Sequence, residues 1–155
     1  MVTPVAVATD PSGRFIYVTN HGANTVGIYA VDPLSGNLTS VAARATGSNP
    51  VSVSVAASGS FLYVANQGAD TLGAYAIDAT SGDLSSKASY ATGSSPNQTA
   101  IDPSGRFVYA VNYNSADISG YVIDQDSGKL SAANGGVTFA AGANPVALAV
   151  VASIE

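Results

Sequence analysis

Short apolar runs, separated by glycine, proline, serine and aspartate, cover the chain from end to end. The runs "VAVAT" from Val5, "RFIYVTN" from Arg14 and "TVGIYAVD" from Thr25 are nearly continuous in β-branched, small and aromatic residues, which is typical of strands buried on both faces. The fourth run, "LTSVAARAT" from Leu38, is more polar, as expected of an edge strand. No segment has helical periodicity, so the pattern predicts four short strands before the first repeat ends.

The four-strand pattern returns at an interval of 46 residues. The phrase "YVTN" at 17–20 recurs as "YVAN" at 63–66 and as "YAVN" at 109–112. Units of this length with four antiparallel strands are typical of β-propeller blades. We therefore expect an all-β fold: a β-propeller segment of three four-stranded antiparallel blades plus the first strand of a fourth, in one partial propeller domain over residues 1–155.

The repeat also predicts where each blade lies. Blade 1 is expected at about 4–49, blade 2 at about 50–95 and blade 3 at about 96–144, the last lengthened around "NGGVTF". An extra strand is expected at 145–152, where "PVALAVVAS" matches the strand "PVSVSVAAS" of blade 2.

Three blades and a strand form an arc with two open faces, because closed propellers have about 4 to 8 blades. The chain is then either a piece of a longer protein or one part of a ring closed by several copies. We expect self-association through the open blade faces, with a two-fold dimer as its form. A six-blade ring is one way to close it, and the extra strand is a means of pairing.

Residues that recur in every unit are predicted to serve the blade itself. Phe15, Tyr17, Tyr29 and their repeat mates should be buried between neighbouring sheets. The asparagines Asn20, Asn66 and Asn112 should bond backbone groups of the loop that follows. The aspartates Asp32, Asp78 and Asp124 should open hairpin turns of the form D-x-x-S-G.

Composition limits the chemistry and the partners. Only 10% of residues are charged, the net charge is -5 and no basic run exists, so we expect neither a nucleic-acid partner nor an anionic-membrane partner. No apolar run approaches the ~20 residues of a membrane span. The chain has no cysteine and one histidine, and we expect no metal and no cofactor. Few lysines and many small hydroxyl residues favour a secreted or cell-surface location over a cytoplasmic one.

A candidate ligand site lies where the loops before strand one and after strand two of each blade share one face, around the channel. The informative residues there are polar ones that differ between repeats or precede a blade. They are His21, Asn49, Gln67, Asn97, Gln98, Tyr113 and Asn144. A small molecule or carbohydrate-like ligand would suit them. His21 has no serine or carboxylate at a catalytic spacing, so no catalytic residue is assigned.

The stretches "DPSGRFIYVTN" and "NTVGIYAVDPLSGNL" resemble the YVTN repeat of lactonase-like seven-bladed propellers, a group that includes propeller-type 6-phosphogluconolactonases. The likeness runs from Pro4 to Val151. It implies histidines just after the proline that opens a blade, and arginines and acids near the channel that hold an anionic sugar lactone. This chain has no histidine at the matching positions, which are Val5, Val51, Asn97 and Val146.

Two functions follow from these features. The first is a binding or scaffold module without a complete active site, favoured by the missing histidines and by arginines that fall in the "SGRF" turns or on an outer strand. The alternative is part of a lactone hydrolase of the 6-phosphogluconolactonase type, whose catalytic residues lie on blades outside this chain. Under both, the chain alone is expected to lack turnover.

Overall fold

Three antiparallel sheets follow one another along residues 2–151, the residues that the computed structural model describes. Blade 1 comprises β1 (Pro4–Thr9), β2 (Phe15–Asn20), β3 (Thr25–Val31) and β4 (Leu38–Ala45). Blade 2 comprises β5 (Pro50–Val55), β6 (Phe61–Asn66), β7 (Thr71–Ile77) and β8 (Leu84–Ala91). Blade 3 comprises β9 (Pro96–Ile101), β10 (Phe107–Asn112), β11 (Asp117–Ile123), β12 (Leu130–Ala132) and β13 (Phe139–Ala140).

The described helical structure is confined to 3-10 turns at His21–Ala23, Gln67–Ala69 and Ala133–Gly136. The all-β prediction is therefore confirmed, with spatial strand order equal to chain order in blades 1 and 2. None of these turns, within residues 2–151, is long and apolar enough to cross a membrane.

Burial follows the hydrophobic pattern along each blade. All six residues of β6 are buried, because blade 2 has a neighbour on both faces. By contrast, seven of the eight residues of β4 are exposed, as the polar pattern of this outer strand predicted. The apolar side chains form two clusters, one between blades 1 and 2 and the other between blades 2 and 3.

The hairpin turns form as predicted. In blade 1 the Oδ1 atom of Asp32 accepts hydrogen bonds from the backbone N–H groups of Leu34 (2.9 Å) and Ser35 (2.8 Å), and Asp78 and Asp124 repeat this geometry. Serine and backbone donors lower the pKa of all three carboxyl groups, because these hydrogen bonds stabilise the ionised form.

The asparagine prediction is wrong in its partner. Asn20 and Asn66 donate through Nδ2 to the hydroxyls of Thr25 (3.3 Å) and Thr71 (3.2 Å), and Asn112 donates to the carboxylate of Asp117 (2.8 Å). The acceptor is thus a side chain at the start of the next strand, because Asn20 is paired directly with Thr25 in the ladder. These asparagines still tie the second strand of a blade to its third.

Neighbouring blades interlock through an aromatic residue and a glycine. The ring of Phe15 lies against Gly82 of blade 2 so closely that a Cβ at this glycine would overlap it. The hydroxyl of Tyr17 donates to the carbonyl of the same glycine at 3.0 Å. Phe61 and Tyr63 repeat both contacts at Gly128 of blade 3, with a hydroxyl to carbonyl distance of 3.1 Å.

The tyrosines of the third strand in blades 2 and 3 donate to the preceding blade. The hydroxyl of Tyr75 donates to the carbonyl of Ala45 in blade 1 at 3.2 Å, and that of Tyr121 donates to the carbonyl of Ala91 in blade 2. We call the interface between two neighbouring blades a joint. Each joint therefore has tyrosine hydrogen bonds donated from both sides, at the repeat positions of Tyr17 and Tyr75.

The burial prediction for these columns is only partly confirmed. Phe15, Tyr17, Phe61, Tyr63, Tyr75 and Tyr121 are buried. Tyr29, Phe107 and Tyr109 are only partly buried, so for them the prediction is wrong. The reason is the side each faces: Tyr29 points towards a blade preceding blade 1 and the other two towards a blade following blade 3, and no such blade exists among the described residues.

The outer edge of blade 3 is divided in two. Strand β12 has three residues, whereas β4 and β8 have eight each. The 3-10 turn at Ala133–Gly136 carries the inserted residues, with Asn134 and Gly135 in the left-handed region. Strand β13 then resumes the pairing with β11. The extra length expected around "NGGVTF" is therefore accommodated at the rim.

No strand forms over 145–151, where an extra strand was expected, and residue 152 of that prediction lies outside the described residues. The segment instead lies beside β9, where Asn97 Nδ2 donates to the carbonyl of Val146 (3.2 Å) and Leu148 N–H donates to Gln98 Oε1 (2.6 Å). A ladder would need a second strand of a fourth blade as its partner, and the described chain supplies none. The thirteenth strand is β13 instead.

Candidate functional site

The loops that carry the candidate residues do share one face. In each blade the residue after the second strand donates its backbone N–H to the residue before the first strand. The pairs are His21 with Thr3 (2.8 Å), Gln67 with Asn49 (2.9 Å) and Tyr113 with Ser95 (2.8 Å). These three equivalent hydrogen bonds hold the two loops of each blade together at the same end of its sheet.

A left-handed residue precedes β5, β9 and the segment 145–151, and these three residues shape the face. Asn49, Ser95 and Asn144 have φ values of 55°, 58° and 53°, a region that asparagine adopts more readily than most residues. The backbone N–H of Asn49 donates to Asn24 Oδ1 (2.8 Å), and that of Ser95 donates to Asp70 Oδ1 (2.7 Å). The loops that precede blades 2 and 3 are thereby tied to a loop of the blade before them.

Sequence reasoning missed Asn24 and Asp70 in this role. Both follow a 3-10 turn and lie in the left-handed region, with φ of 54° and 52°. The signal was available in "HGAN" and "QGAD", since asparagine and aspartate favour such a position, but their partner in the next blade could not be read from the chain.

His21 and Asn49 are brought together. The imidazole Nε2 lies 3.0 Å from Asn49 Nδ2, so a neutral ring accepts from the amide at this nitrogen. His21 is half-buried and Asn49 is half-buried beside it. No carboxylate of residues 2–151 hydrogen-bonds the ring, so the described pair presents an imidazole and an amide at the loop face.

Gln67 and Asn97 form the next cross-blade pair, with Gln67 Nε2 3.4 Å from Asn97 Oδ1. The Nδ2 of the same Asn97 is bonded to Val146, and Gln98 is bonded to Leu148. The amides of Asn97 and Gln98 therefore hold the segment 145–151 against β9. That structural role accounts for two of the polar residues that depart from the repeat.

Tyr113 and Asn144 are not joined to these pairs by a described side-chain hydrogen bond. Tyr113 is 36% exposed, and Asn144 is exposed. Of the seven predicted residues, the structure pairs His21 with Asn49 and Gln67 with Asn97. Gln98 of β9 contacts the segment 145–151. Tyr113 and Asn144 are not part of either pair.

Cations lie away from the loop face. Arg14 donates to the carbonyl of Ala79 at 2.6 Å and stacks on Phe15, while Arg44 forms an ion pair of 2.5 Å with Asp83. The remaining basic residues are in a strand-connecting turn, on outer strand β8 and in a hairpin turn: Arg106, Lys87 and Lys129. An anionic ligand at the loop face therefore meets no guanidinium or ammonium group of the described chain.

The acids near this face are already engaged. Asp117 accepts hydrogen bonds from Ser115 (2.7 Å) and Asn112 (2.8 Å). Burial alone would raise the pKa of Asp117, but hydrogen bonds from Ser115, Thr138 and Asn112 outweigh it and hold the pKa below the usual range. Among residues 2–151 no group of three or more His, Cys, Asp or Glu side chains is arranged to hold a metal ion. The face offers amide, imidazole and hydroxyl groups, which suit a neutral, hydroxyl-bearing ligand.

Comparison with known proteins identifies the architecture. The family model described as "Lactonase, 7-bladed beta-propeller" matches residues 2–97 and again 46–146. No curated protein matches the chain detectably.

Solved structures agree with this family. The periplasmic gluconolactonase of Pseudomonas aeruginosa is 25% identical with a TM-score of 0.87, over 97% of this chain and 43% of that one. A protein from Lactobacillus plantarum is 25% identical with a TM-score of 0.85, over 92% and 43%. A candidate 6-phosphogluconolactonase from Bacteroides uniformis is 20% identical with a TM-score of 0.84, over 94% and 43%.

This chain thus spans less than half the length of each structure. The blades, the joints and the family match lead to one conclusion: the chain belongs to the lactonase family of seven-bladed β-propellers.

Proposed function

We propose that the chain is a binding and scaffold segment of a lactonase-like propeller, which holds a neutral, hydroxyl-bearing ligand such as a sugar at its loop face. One observation carries the proposal: polar side chains at this face form uncharged cross-blade pairs, His21 with Asn49 and Gln67 with Asn97. Amides both donate and accept hydrogen bonds, so such pairs recognise hydroxyl groups without requiring charge.

The chain on its own is a poor catalyst under this proposal. Lactone hydrolysis needs a group that activates water and a group that stabilises the oxyanion. The one imidazole is paired with an amide, and the described cations lie on other elements.

The alternative function is a share in a lactone hydrolase whose catalytic groups come from further blades. The family match and the likeness to the Pseudomonas aeruginosa gluconolactonase favour it. In that case the loop face of this chain would contribute substrate contacts only. The periplasmic location of the Pseudomonas aeruginosa protein also supports a location outside the cytoplasm, which the composition favours.

The test combines hydrolysis and binding. Hydrolysis of glucono-1,5-lactone and of 6-phosphogluconolactone, followed by acid release at constant pH, is expected to stay at the uncatalysed rate. A neutral sugar at millimolar concentration is expected to shift the NMR amide signals of Asn49 and Gln67, with His21→Ala reducing the shift. Lys87→Ala, on the outer strand, is the matched control.

Hydrolysis above background that is lost in His21→Ala would overturn the non-catalytic proposal. Unchanged amide signals at the loop face would remove the ligand-binding part of it.

A further inference from the structure

The two end faces of the arc expose residues that are buried inside it. Val7 of blade 1 is 65% exposed, whereas its repeat mate Val53 of blade 2 is 8% exposed. Leu38 is 53% exposed and its mate Leu84 is 6% exposed. At the other end, Tyr109, Ile118 and Phe139 line an apolar depression with Leu148 and Val150. Inside the arc, the equivalent residues are covered by a neighbouring blade of the same repeat.

The segment 145–150 is a near copy of β1. Its sequence "PVALAV" differs from "PVAVAT" of β1 at two positions, one of them the conservative leucine for valine. Asn144 before it has the left-handed φ of Asn49 and Ser95, whose carbonyls accept the N–H of the loop in their own blade. The segment thus has the turn and the side-chain contacts of an inner strand, without a strand to pair with.

We propose that a second copy of this chain supplies that strand. Residues 145–150 of one copy replace β1 against β2 of the other copy, so that blade 1 of the second copy seats on blade 3 of the first. Because one strand is exchanged for its near copy, the number of ladder hydrogen bonds stays the same. The gain is the apolar surface that the two end faces bury.

The internal joints specify how the faces meet. Inside the arc, the ring of Phe15 packs on Gly82 of the next blade. In the dimer, the equivalent ring of Phe107 packs on Gly36 of the second copy. In the single chain, a Cβ at Gly36 would have open space around it. By the register of Tyr17, the Tyr109 hydroxyl donates to the carbonyl of that same glycine.

Two further contacts follow from the same register. Tyr75 donates to Ala45, so Tyr29 of the second copy donates to the carbonyl of Ala140, the residue that pairs with Asp117 as Ala45 pairs with Thr25. Strand β13 therefore supplies the acceptor even though the rim of blade 3 carries an insertion.

The same joint forms twice when both copies use both ends. The open face of blade 1 in each copy packs against the open face of blade 3 in the other copy. Two copies thereby close a ring of six blades, within the range of about 4 to 8 that propellers adopt. The interface is head-to-tail and the ring is two-fold symmetric. Asn97 and Gln98 of the loop face hold the segment 145–150, but the interface does not require the proposed ligand.

Two truncations test the strand exchange, with mass measured by sedimentation at micromolar concentration. The whole chain is expected at twice its 15.3 kDa. Ending the chain at Asn144 should give a monomer, and removing residues 1–9 should tighten the dimer, because the place of β1 is then vacant. A whole chain that remains monomeric, or a dimer that survives the loss of 145–155, would overturn the proposal.

Where the chain without residues 1–9 folds poorly, a synthetic peptide of residues 143–151 provides the second measurement. It should bind that chain and restore cooperative unfolding, and a scrambled peptide should not. Equal effects of the two peptides would count against the exchange.

Complementation tests the head-to-tail direction. Phe107→Ser removes one partner of the joint and Gly36→Asn fills the other, with asparagine chosen because it tolerates the φ of +72° at that turn. Each variant alone should be monomeric, and an equimolar mixture should form a heterodimer through its one intact joint. Gly135→Asn, at a positive φ with open space around it, should dimerise like the unaltered chain. A Gly36→Asn variant that dimerises normally would exclude this joint.

Discussion

At the scale of single residues, position in the arc decides what a repeated side chain does. Tyr17, Tyr63 and Tyr109 share one repeat column. The first two are fully buried and donate to a glycine carbonyl of the next blade, while Tyr109 is partly exposed. Identical residues in identical local structure therefore differ in energetic value, because only some have a partner blade.

The tyrosine column predicts a contrast in stability. Tyr63→Phe should lower the free energy of unfolding by about 1–2 kcal/mol, because it removes a buried hydrogen bond and leaves the Gly128 carbonyl without this donor. Tyr109→Phe should change it by less than about 0.5 kcal/mol. Urea unfolding of dilute protein measures both. Equal losses would mean that the hydroxyl at the joint contributes nothing specific.

The buried tyrosines also predict alkaline instability. Burial, and then the charge of Asp10, raise the pKa of Tyr17 to about 12 from an ordinary 10.0. Because the folded state disfavours the phenolate, this contribution to stability is complete below about pH 10 and is lost as the pH rises towards about 12. The urea midpoint should fall over that range, and less steeply in Tyr17→Phe. A fall of the same steepness in that variant would assign it to other groups.

At the scale of elements, the hairpin turn between the third and fourth strands does two tasks. The turn glycines Gly36, Gly82 and Gly128 all have φ between +70° and +72°, which the turn requires. Only Gly82 and Gly128 also carry an aromatic ring of the preceding blade against them. The need for glycine in the turn can be read from the local sequence. The need to leave room for an aromatic ring arises only where a neighbouring blade packs on the turn.

Alanine substitution separates the two tasks. Gly36→Ala should cost about 1–2 kcal/mol, the strain of a left-handed backbone with a Cβ. Gly82→Ala should cost a further ~1–3 kcal/mol, because the added methyl overlaps the ring of Phe15. Urea unfolding of dilute protein measures the difference. Equal costs would show that Phe15 moves aside freely.

At the scale of the whole molecule, stability is concentrated in the middle of the arc. Blade 2 contributes residues to both apolar clusters, for example Leu62 to the first and Leu72 to the second. At the N-terminal end, four of the six residues of β1 are exposed. The arc is therefore expected to open from its ends, since the end blades bury one face where blade 2 buries two.

Hydrogen exchange of dilute protein measures this gradient. Amides of β6 should exchange more slowly than the equivalent amides of β2 and β10, and those of β1 should be among the fastest strand amides. All three central strands have ladder partners on both sides, so the comparison isolates the effect of neighbouring blades. Equal exchange in the three strands would show that each blade opens without regard to its neighbours.

The sequence by itself determined the blade. A blade is specified by hydrophobic runs, by turn residues such as Asp32 and by their repetition every 46 residues. The interactions involved act within a few residues or between adjacent strands, so the sequence pattern is enough to predict them. The sequence also predicted that the loops of His21 and Asn49 lie on one face, but the hydrogen bond between the two side chains joins different blades and could not be anticipated.

Only the tertiary structure decided what happens between blades. The contacts of Phe15 and Tyr17 with Gly82 join residues 65 or more positions apart, and whether such a contact exists depends on a neighbouring blade being there. Asn97 and Gln98 are predicted ligand contacts because they depart from the repeat, and their bonds to the segment 145–151 could not be read from the sequence. That segment has the sequence of a strand and no ladder, because a strand requires a partner's backbone and no local pattern can supply one.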